Sequence, residues 1–236
     1  MSILAEPKLL IVETSGRLGH VALARGATLV GSRRLEEARR HARDLAPSVA
    51  GLLAEAGYTP GDLDAVVVSR GPGSYTGLRV GIMSAKTFAF ATGCALIAVD
   101  TFAAIARQVP DDALSVDVLA DAQQERVYVQ RFARAEPGSK WTATSPLSIQ
   151  RVSDWSTHTP PAAWISGPGV RVLADRRPEG SCIAPAESWD PQPQSLLDIG
   201  LARFLAGERD DLWVVEPLYL RPSAAEEKWN KRQTPV

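Results

Sequence analysis

A glycine-rich turn between an apolar run and a helical pattern is the feature that most limits how this chain can fold. The apolar run is Ala65–Ser69, and the turn is Gly71–Arg79, with the sequence GPGSYTGLR. An almost wholly apolar strand is expected where helices cover both faces of a sheet. Glycines in the turn permit positive φ angles and a close approach of two backbone segments. The pattern therefore predicts an α/β protein with a buried strand that turns sharply into a helix.

The rest of the first half alternates strands and helices in the same way. The elements predicted there are strands at 8–14, 20–25, 28–35, 65–69 and 95–99 and helices at 44–57, 77–92 and 101–109. The first three strands have tight turns between them and are typical of an antiparallel meander. The order β-β-β-α-β-α-β-α predicts a mixed sheet covered by helices.

The second half repeats this pattern more loosely. Strands are predicted at 116–121, 126–134, 141–149 and 163–166, and an amphipathic helix at 195–205. Two similar halves predict a duplicated fold with a cleft between them. We therefore expect one domain over residues 1–110 and a second over 111–236. The helix at 195–206 and the tail are expected to pack back on the first domain.

Composition excludes several classes of protein. The chain has 26 Lys and Arg against 27 Asp and Glu, which argues against a strongly basic nucleic-acid-binding surface and against an acidic disordered tail. Two cysteines and three well-separated histidines make neither a disulfide scaffold nor a local zinc site. The apolar window Val80–Val99 contains Ser84, Lys86 and Gly93, so we interpret it as a helix followed by a strand. No targeting segment is recognised, and a soluble cytoplasmic protein is expected.

The glycine-rich turn has two interpretations. Free amides at the start of a helix can hold an anion, which would make Gly71, Gly73, Ser74 and Thr76 a phosphate or nucleotide turn. The spacing fits neither the Walker nor the Rossmann pattern, however. The alternative is a tight strand-to-helix turn in which Thr76 is the N-cap.

A stripe of small residues follows on the predicted helix. Gly77, Gly81, Ala85 and Ala89 recur every four residues and therefore lie along one face. Such a stripe lets another element approach closely, and that element is either the chain's own sheet or a helix of a second protein. If it is a second protein, Gly81→Leu is expected to abolish binding while the chain stays folded.

Each half begins with a strand that ends in an acidic residue, Glu13 and Asp121 respectively. Acidic residues at such strand ends can handle metal-bound phosphate if they face a cleft. The alternative is ordinary turn chemistry, which Asp and Ser favour.

Several motifs together resemble the TsaB (YeaZ) family, the dimerisation subunit of the bacterial tRNA threonylcarbamoyladenosine machinery. They are Ser69–Arg79, Ile11–Ser15, Asp121–Ala122 with Val127–Tyr128, and Pro217–Arg221. The resemblance implies a two-domain actin-like, sugar-kinase-like (ASKHA) fold with duplicated mixed β-sheets, and it implies a pseudo-enzyme. The related catalytic subunit, TsaD, holds a metal through a pair of histidines on a helix, and this sequence has no such pair.

The resemblance also implies a set of partners. The helices at 41–56 and 77–92 would pack on the matching helices of TsaD, and the ATPase TsaE would dock on that pair. The implied interface residues are His41, Leu45, Val49, Leu52, Tyr75, Gly77, Arg79, Gly81, Ala85 and Ala89. ATP or ADP and a divalent metal would belong to the partner subunits, with no cofactor or metal in this chain. The chain would reach tRNA only through the complex, would not contact a membrane, and would form a homodimer when alone.

Two other functions compete with this scaffold role. Glu13, Asp121 and the glycine turn would also suit an active ASKHA-type small-molecule phosphotransferase. A metal-dependent peptidase is the third hypothesis, and the missing histidine pair argues against it.

Overall fold

Strands and helices alternate along the chain much as the hydrophobic pattern predicts. The computed structural model describes residues 6–35, 41–160 and 163–220. In chain order the elements are β1 Lys8–Glu13, β2 Gly19–Arg25, β3 Thr28–Leu35, α1 His41–Ala56, β4 Ala65–Gly71, α2 Tyr75–Thr92, β5 Ala95–Asp100, α3 Thr101–Ala106, β6 Ser115–Asp121, β7 Arg126–Ala133, β8 Thr142–Ala143, β9 Ser148–Arg151, α4 Val152–His158, β10 Trp164–Ser166, α5 Val170–Leu173, β11 Cys182–Ile183 and α6 Pro193–Leu205.

The elements form two mixed sheets with the same topology. The first sheet has the order β3-β2-β1-β4-β5, with β1, β4 and β5 parallel and β1, β2 and β3 antiparallel. The second has the order β11-β10-β6-β7-β8, with β6, β10 and β11 parallel, and β9 also pairs with β7. The predicted fold class, a duplicated mixed sheet covered by helices, is confirmed.

Strand periodicity decides which helices cover each face of the first sheet. Leu10 and Val12 of β1 belong to one core cluster, which includes the apolar residues of α1 and α2. Leu9 and Ile11 point to the opposite face and pack with Leu196 of α6. Successive strand residues point to opposite faces, so a strand that is apolar at every position needs helices on both sides.

Two helices each pack on the sheet of the other half of the chain. Helix α6 follows the second sheet in sequence but packs on the first, where Leu196 and Leu197 are fully buried. Helix α3 follows the first sheet, and its Phe102 and Ile105 pack with Val116 of the second. Each sheet is thus covered in part by a helix from the other half. The tail beyond residue 220 lies outside the described residues.

The ends of α2 correct one detail of the prediction. The N-cap is Ser74, whose Oγ accepts a hydrogen bond from the Gly77 amide at 3.2 Å, so the predicted cap at Thr76 is wrong. The helix ends as predicted at Gly93, which has φ 75° in the left-handed region. Within the described segments, none of the helices combines the length and the apolar character needed to cross a membrane.

The second half also differs from prediction in its third strand. In place of one strand over 141–149, the structure has the two short strands β8 and β9, which both pair with β7.

Candidate functional site

The glycine-rich turn folds tightly onto the end of β1. A Cβ atom on Gly73 would lie 2.4 Å from the Ser15 carbonyl oxygen, and one on Gly77 would lie 2.0 Å from that of Thr14. Real Cβ atoms do not approach oxygen so closely, so both positions require glycine. The turn and the strand end therefore share a backbone-to-backbone contact that no other residue type would permit.

The polar groups of this turn bond within the chain. The Ser74 amide donates to the Ser15 carbonyl at 2.7 Å, and the Gly71 amide donates to the Thr101 hydroxyl at 3.2 Å. The Ser15 carbonyl oxygen lies against Gly73, and a carbonyl oxygen repels an anion. Of the two interpretations of Gly71, Gly73, Ser74 and Thr76, this geometry supports the tight strand-to-helix turn.

Glu13 lies beneath this contact at the end of β1 and is fully buried. Its Oε1 accepts hydrogen bonds from the Ser15 amide and hydroxyl, both at 2.5 Å. Its Oε2 has no hydrogen-bond partner among the described residues. Burial raises the pKa of Glu13 to about 7, against the lowering effect of the hydrogen bonds from Ser15.

The second acidic turn has a different environment. Asp121 is exposed, and its Oδ1 accepts a hydrogen bond from the Gln123 amide at 2.7 Å. This is the turn chemistry that Asp favours. Glu13 and Asp121 therefore do not form a matched pair of open carboxylates. Across the described segments, no group of three or more His, Cys, Asp and Glu side chains could hold a metal ion.

The small-residue stripe of α2 packs inside the chain. A Cβ atom on Gly81 would lie 2.1 Å from Thr14 Oγ1, which donates a hydrogen bond to the Gly77 carbonyl at 2.8 Å. Ala85 and Ala89 are each 1% exposed and belong to the core on the same face of the sheet. Thr14, directly after β1, lies against Gly77 and Gly81, and the rest of the stripe belongs to the core of the first sheet. Gly81→Leu would therefore disturb internal packing instead of testing a partner.

The apolar residues predicted for the interface on α1 are also internal. Leu45, Val49 and Leu52 are buried in the core cluster that lies between the helices and the first sheet. These residues, like the stripe on α2, are not available on the folded surface. His41 begins α1, and its side chain lies outside the described residues. A helical stripe of apolar residues marks a buried face, but it does not say what buries that face.

An apolar surface does exist on the opposite side of α2. We call it the apolar face: Met83, Phe90, Trp213 and Val214, which are between 59% and 77% exposed. The rings of Phe90 and Trp213 meet edge to face with centroids 6.1 Å apart. Sequence reasoning missed these residues, although Met83 and Phe90 stand seven apart on one side of the predicted helix and could have been noticed.

Trp213 reaches this surface because residues 208–220, here called the C-terminal strap, cross the first sheet and α2. The Asp210 amide donates to the Leu96 carbonyl at 2.9 Å, and the Leu218 amide donates to the Arg70 carbonyl at 2.8 Å. Lys86 Nζ of α2 donates to the Val215 carbonyl at 3.1 Å. The strap is therefore fastened to β4, α2 and β5.

Tyr75 and Arg79, two more predicted interface residues, fasten the end of the strap. The rings of Tyr75 and Tyr219 stack with centroids 4.7 Å apart. Arg79 lies over the Tyr75 ring at 4.2 Å and donates from Nε to the Tyr219 hydroxyl at 3.0 Å. This hydrogen bond raises the pKa of the Arg79 guanidinium above its ordinary value. Arg79 is exposed, so it remains a surface residue beside the apolar face.

Comparison with known proteins places this architecture among tRNA-modification proteins. Residues 35–152 match the family model of TsaD, tRNA N6-adenosine threonylcarbamoyltransferase. The chain is 28% identical to the tRNA threonylcarbamoyladenosine biosynthesis protein TsaB of Escherichia coli, over 82% of this chain and 84% of that protein. It is 25% identical to TsaB of Bacillus subtilis, over 95% of this chain and 99% of that protein. The structure of YeaZ from Pseudomonas aeruginosa superimposes with a TM-score of 0.78 and 26% identity, covering 91% of this chain and 100% of that one.

Proposed function

The chain belongs to the TsaB (YeaZ) family, and on that premise we propose that it is a non-catalytic scaffold and activator of tRNA threonylcarbamoyladenosine synthesis. In this proposal it binds a TsaD-type transferase in the cytoplasm, and a TsaE-type ATPase docks on the pair. The product is threonylcarbamoyladenosine beside the anticodon of tRNAs that read codons beginning with A. The partner subunits hold the nucleotide and the divalent metal.

The observation that carries the proposal is the apolar face. Four large apolar side chains that are mostly exposed, two of them aromatic and in contact, are unusual on a protein with no partner. Trp, Phe and Met are enriched where proteins bind each other, and a central tryptophan is a frequent hot spot. Arg79, beside this face, supplies the guanidinium that such interfaces also favour.

The family match supports a partner of related shape. The matched range, 35–152, contains α1 and α2, so a TsaD-type protein would present a related helix pair. Two related surfaces can dock about an approximate two-fold axis, as two identical ones do in a symmetric dimer. The same face would then bring two copies of this chain together when the transferase is absent.

The phosphotransferase alternative is less well supported. The glycine turn packs against the Ser15 carbonyl oxygen, and Glu13 is buried with a pKa near neutrality. A carboxylate that coordinates a magnesium–phosphate complex needs to be open and ionised. The interior packing of this turn therefore supports a structural role for it.

The test is co-purification of the full chain with the TsaD-type protein of the same organism. Phe90→Asp places a charge at the centre of the apolar face and should abolish co-elution. Val172→Asp is the matched control, because Val172 is 60% exposed on α5 of the other half and should leave co-elution unchanged. Circular dichroism of both variants checks that they are folded.

Three results would count against the proposal. Co-elution of Phe90→Asp at the wild-type level would exclude the apolar face as the interface. A wild-type chain that does not co-elute would contradict the partner itself. Phosphorylation of a sugar by the purified chain alone would favour the phosphotransferase.

A further inference from the structure

Two arginines face each other at one end of the second sheet. Arg126 of β7 pairs directly with Arg151 of β9 in antiparallel register, and both side chains are exposed. Side chains directly opposite in an antiparallel pair lie about 5 Å apart at Cβ, and like charges there are destabilising. A negative charge bound between the two guanidinium groups would offset this repulsion.

No ion pair supplies such a charge in the part of the chain that the structure describes. Within residues 6–35, 41–160 and 163–220, no carboxylate forms an ion pair with Arg126 or Arg151. Neighbouring arginines contrast with these two: Arg131 binds Asp117, and Arg176 binds Glu125. Unlike Arg131 and Arg176, Arg126 and Arg151 therefore have no carboxylate bound to them among the described residues.

The pair borders a depression of about 450 Å³. Its lining residues are Arg126, Ile149, Gln150, Arg151 and Asp154. Asp154 brings one negative charge, so the two guanidinium groups leave the lining with a net positive charge. The depression is large enough to admit a phosphate group together with an attached sugar.

The backbone around the depression is held in an unusual conformation. Gln123, Gln124 and Glu125, none of them glycine, have φ values of 61°, 54° and 57°. The left-handed region is energetically unfavourable for residues other than glycine. The Glu125 carbonyl accepts a hydrogen bond from the Val152 amide at 3.0 Å, which joins this turn to the end of β9. The strained turn thereby sets Arg126 opposite Arg151.

We infer that this depression binds a phosphate group of an RNA backbone between Arg126 and Arg151. A guanidinium presents paired N–H donors that match phosphate oxygens, and a phosphate between two of them removes their repulsion. Gln150 adds an amide that can donate to a phosphate or a ribose hydroxyl. That the phosphate belongs to RNA rests on the proposed function; the direct contact goes beyond it.

The experiment measures binding of the purified full chain to a fluorescently labelled tRNA transcript by anisotropy at several salt concentrations. The double variant Arg126→Gln/Arg151→Gln should weaken binding about tenfold at low salt. It should also reduce the slope of the logarithm of the binding constant against the logarithm of the salt concentration by about 2. The control is Arg34→Gln on β3, where an exposed arginine is removed far from the depression, and it should bind like the wild type. Gln150→Lys adds a positive charge at the rim and should tighten binding, an outcome that loss of folding cannot produce.

The inference is overturned by any of four results. These are no binding of tRNA by the wild-type chain at low salt, equal binding by the double variant, an equal loss in Arg34→Gln, and equal affinity for a duplex DNA probe of the same length. Co-elution of the double variant with the TsaD-type protein should be unchanged. Because co-elution reports on the apolar face and anisotropy reports on the depression, the two proposals fail by different measurements.

Discussion

Thr14 occupies the position that a side chain at Gly81 would need. The hydroxyl of Thr14 donates to the Gly77 carbonyl at 2.8 Å, and a Cβ on Gly81 would come within 2.1 Å of the same oxygen atom. The contact brings the first half of α2 close to the residue that follows β1. It also explains why glycine is found in a helix interior, where alanine would otherwise be favoured by about 1 kcal/mol.

We predict that Gly81→Ala lowers the free energy of unfolding, by about 1–3 kcal/mol, because overpacking outweighs the gain in helix propensity. Urea denaturation measures the change. Gly51→Ala on α1 is the matched control, because a Cβ there meets only the end of the flexible Arg33 side chain. Gly51→Ala should be neutral or stabilising. Adding Thr14→Ala should recover part of the loss in Gly81→Ala, and an increase in stability for Gly81→Ala alone would contradict the packing argument.

Glu13 should make the stability of the protein depend on pH between about 4.5 and 7. Its pKa rises from 4.5 in the unfolded chain to about 7 in the fold, so the folded state binds the proton more tightly. The free energy of unfolding therefore falls by about 3 kcal/mol as the pH rises through this window. Above pH 7, Glu13 causes no further change.

Glu13→Gln tests the pH effect, since the amide cannot ionise. The variant should be more stable than the wild type at pH 8, and the difference should shrink towards pH 4.5. Chemical denaturation at four pH values from 4.5 to 8 provides the comparison. Parallel pH curves for the two proteins would show that Glu13 is not the titrating group.

Ser74 and Thr76 are the two candidate N-caps of α2, and alanine substitution should destabilise the protein only at the true cap. Ser74→Ala should cost about 1 kcal/mol, because the Ser74 hydroxyl accepts from the Gly77 amide. Thr76→Ala should cost little, since Thr76 lies exposed within the first turn. Thermal denaturation of the two single variants, each the control of the other, decides between the two caps. A larger loss in Thr76→Ala would restore the cap expected from the sequence.

Asp117 holds the second sheet to its helix α4. The fully buried carboxylate accepts bonds from Arg131 at 2.6 and 2.9 Å, from Trp155 Nε1 at 3.1 Å and from Thr159 Oγ1 at 2.9 Å. Asp117→Ala should destabilise the protein by about 3–5 kcal/mol, because it leaves the partly buried Arg131 guanidinium and the buried indole N–H of Trp155 without this acceptor.

The matched control is the exposed pair of Arg107 and Asp198, whose side chains are each 36% exposed and 3.4 Å apart. Asp198→Ala should cost less than about 1 kcal/mol, as exposed ion pairs do. Equal losses in the two alanine variants, measured by urea denaturation, would mean that the buried network contributes no more than a surface pair.

Local chemistry was sufficient to predict much of this protein. The order of elements, the doubly covered strand Ala65–Ser69 and the helix stop at Gly93 follow from periodicity and from the conformations that glycine permits. The motifs around Gly71–Arg79 were sufficient to identify the family. Such features depend on residues that are near each other in sequence, so the sequence alone determines them.

Tertiary structure decided which surface is available for binding. The stripe Gly77–Ala89 looks the same whether the chain's own sheet or another protein lies against it, and only the fold shows that the first sheet and Thr14 do. The apolar face joins Phe90 to Trp213, which are far apart in sequence and meet because the strap returns across α2. Arg126 and Arg151 likewise become neighbours only through the register of β7 and β9. Long-range packing sets these contacts, and no local pattern encodes it.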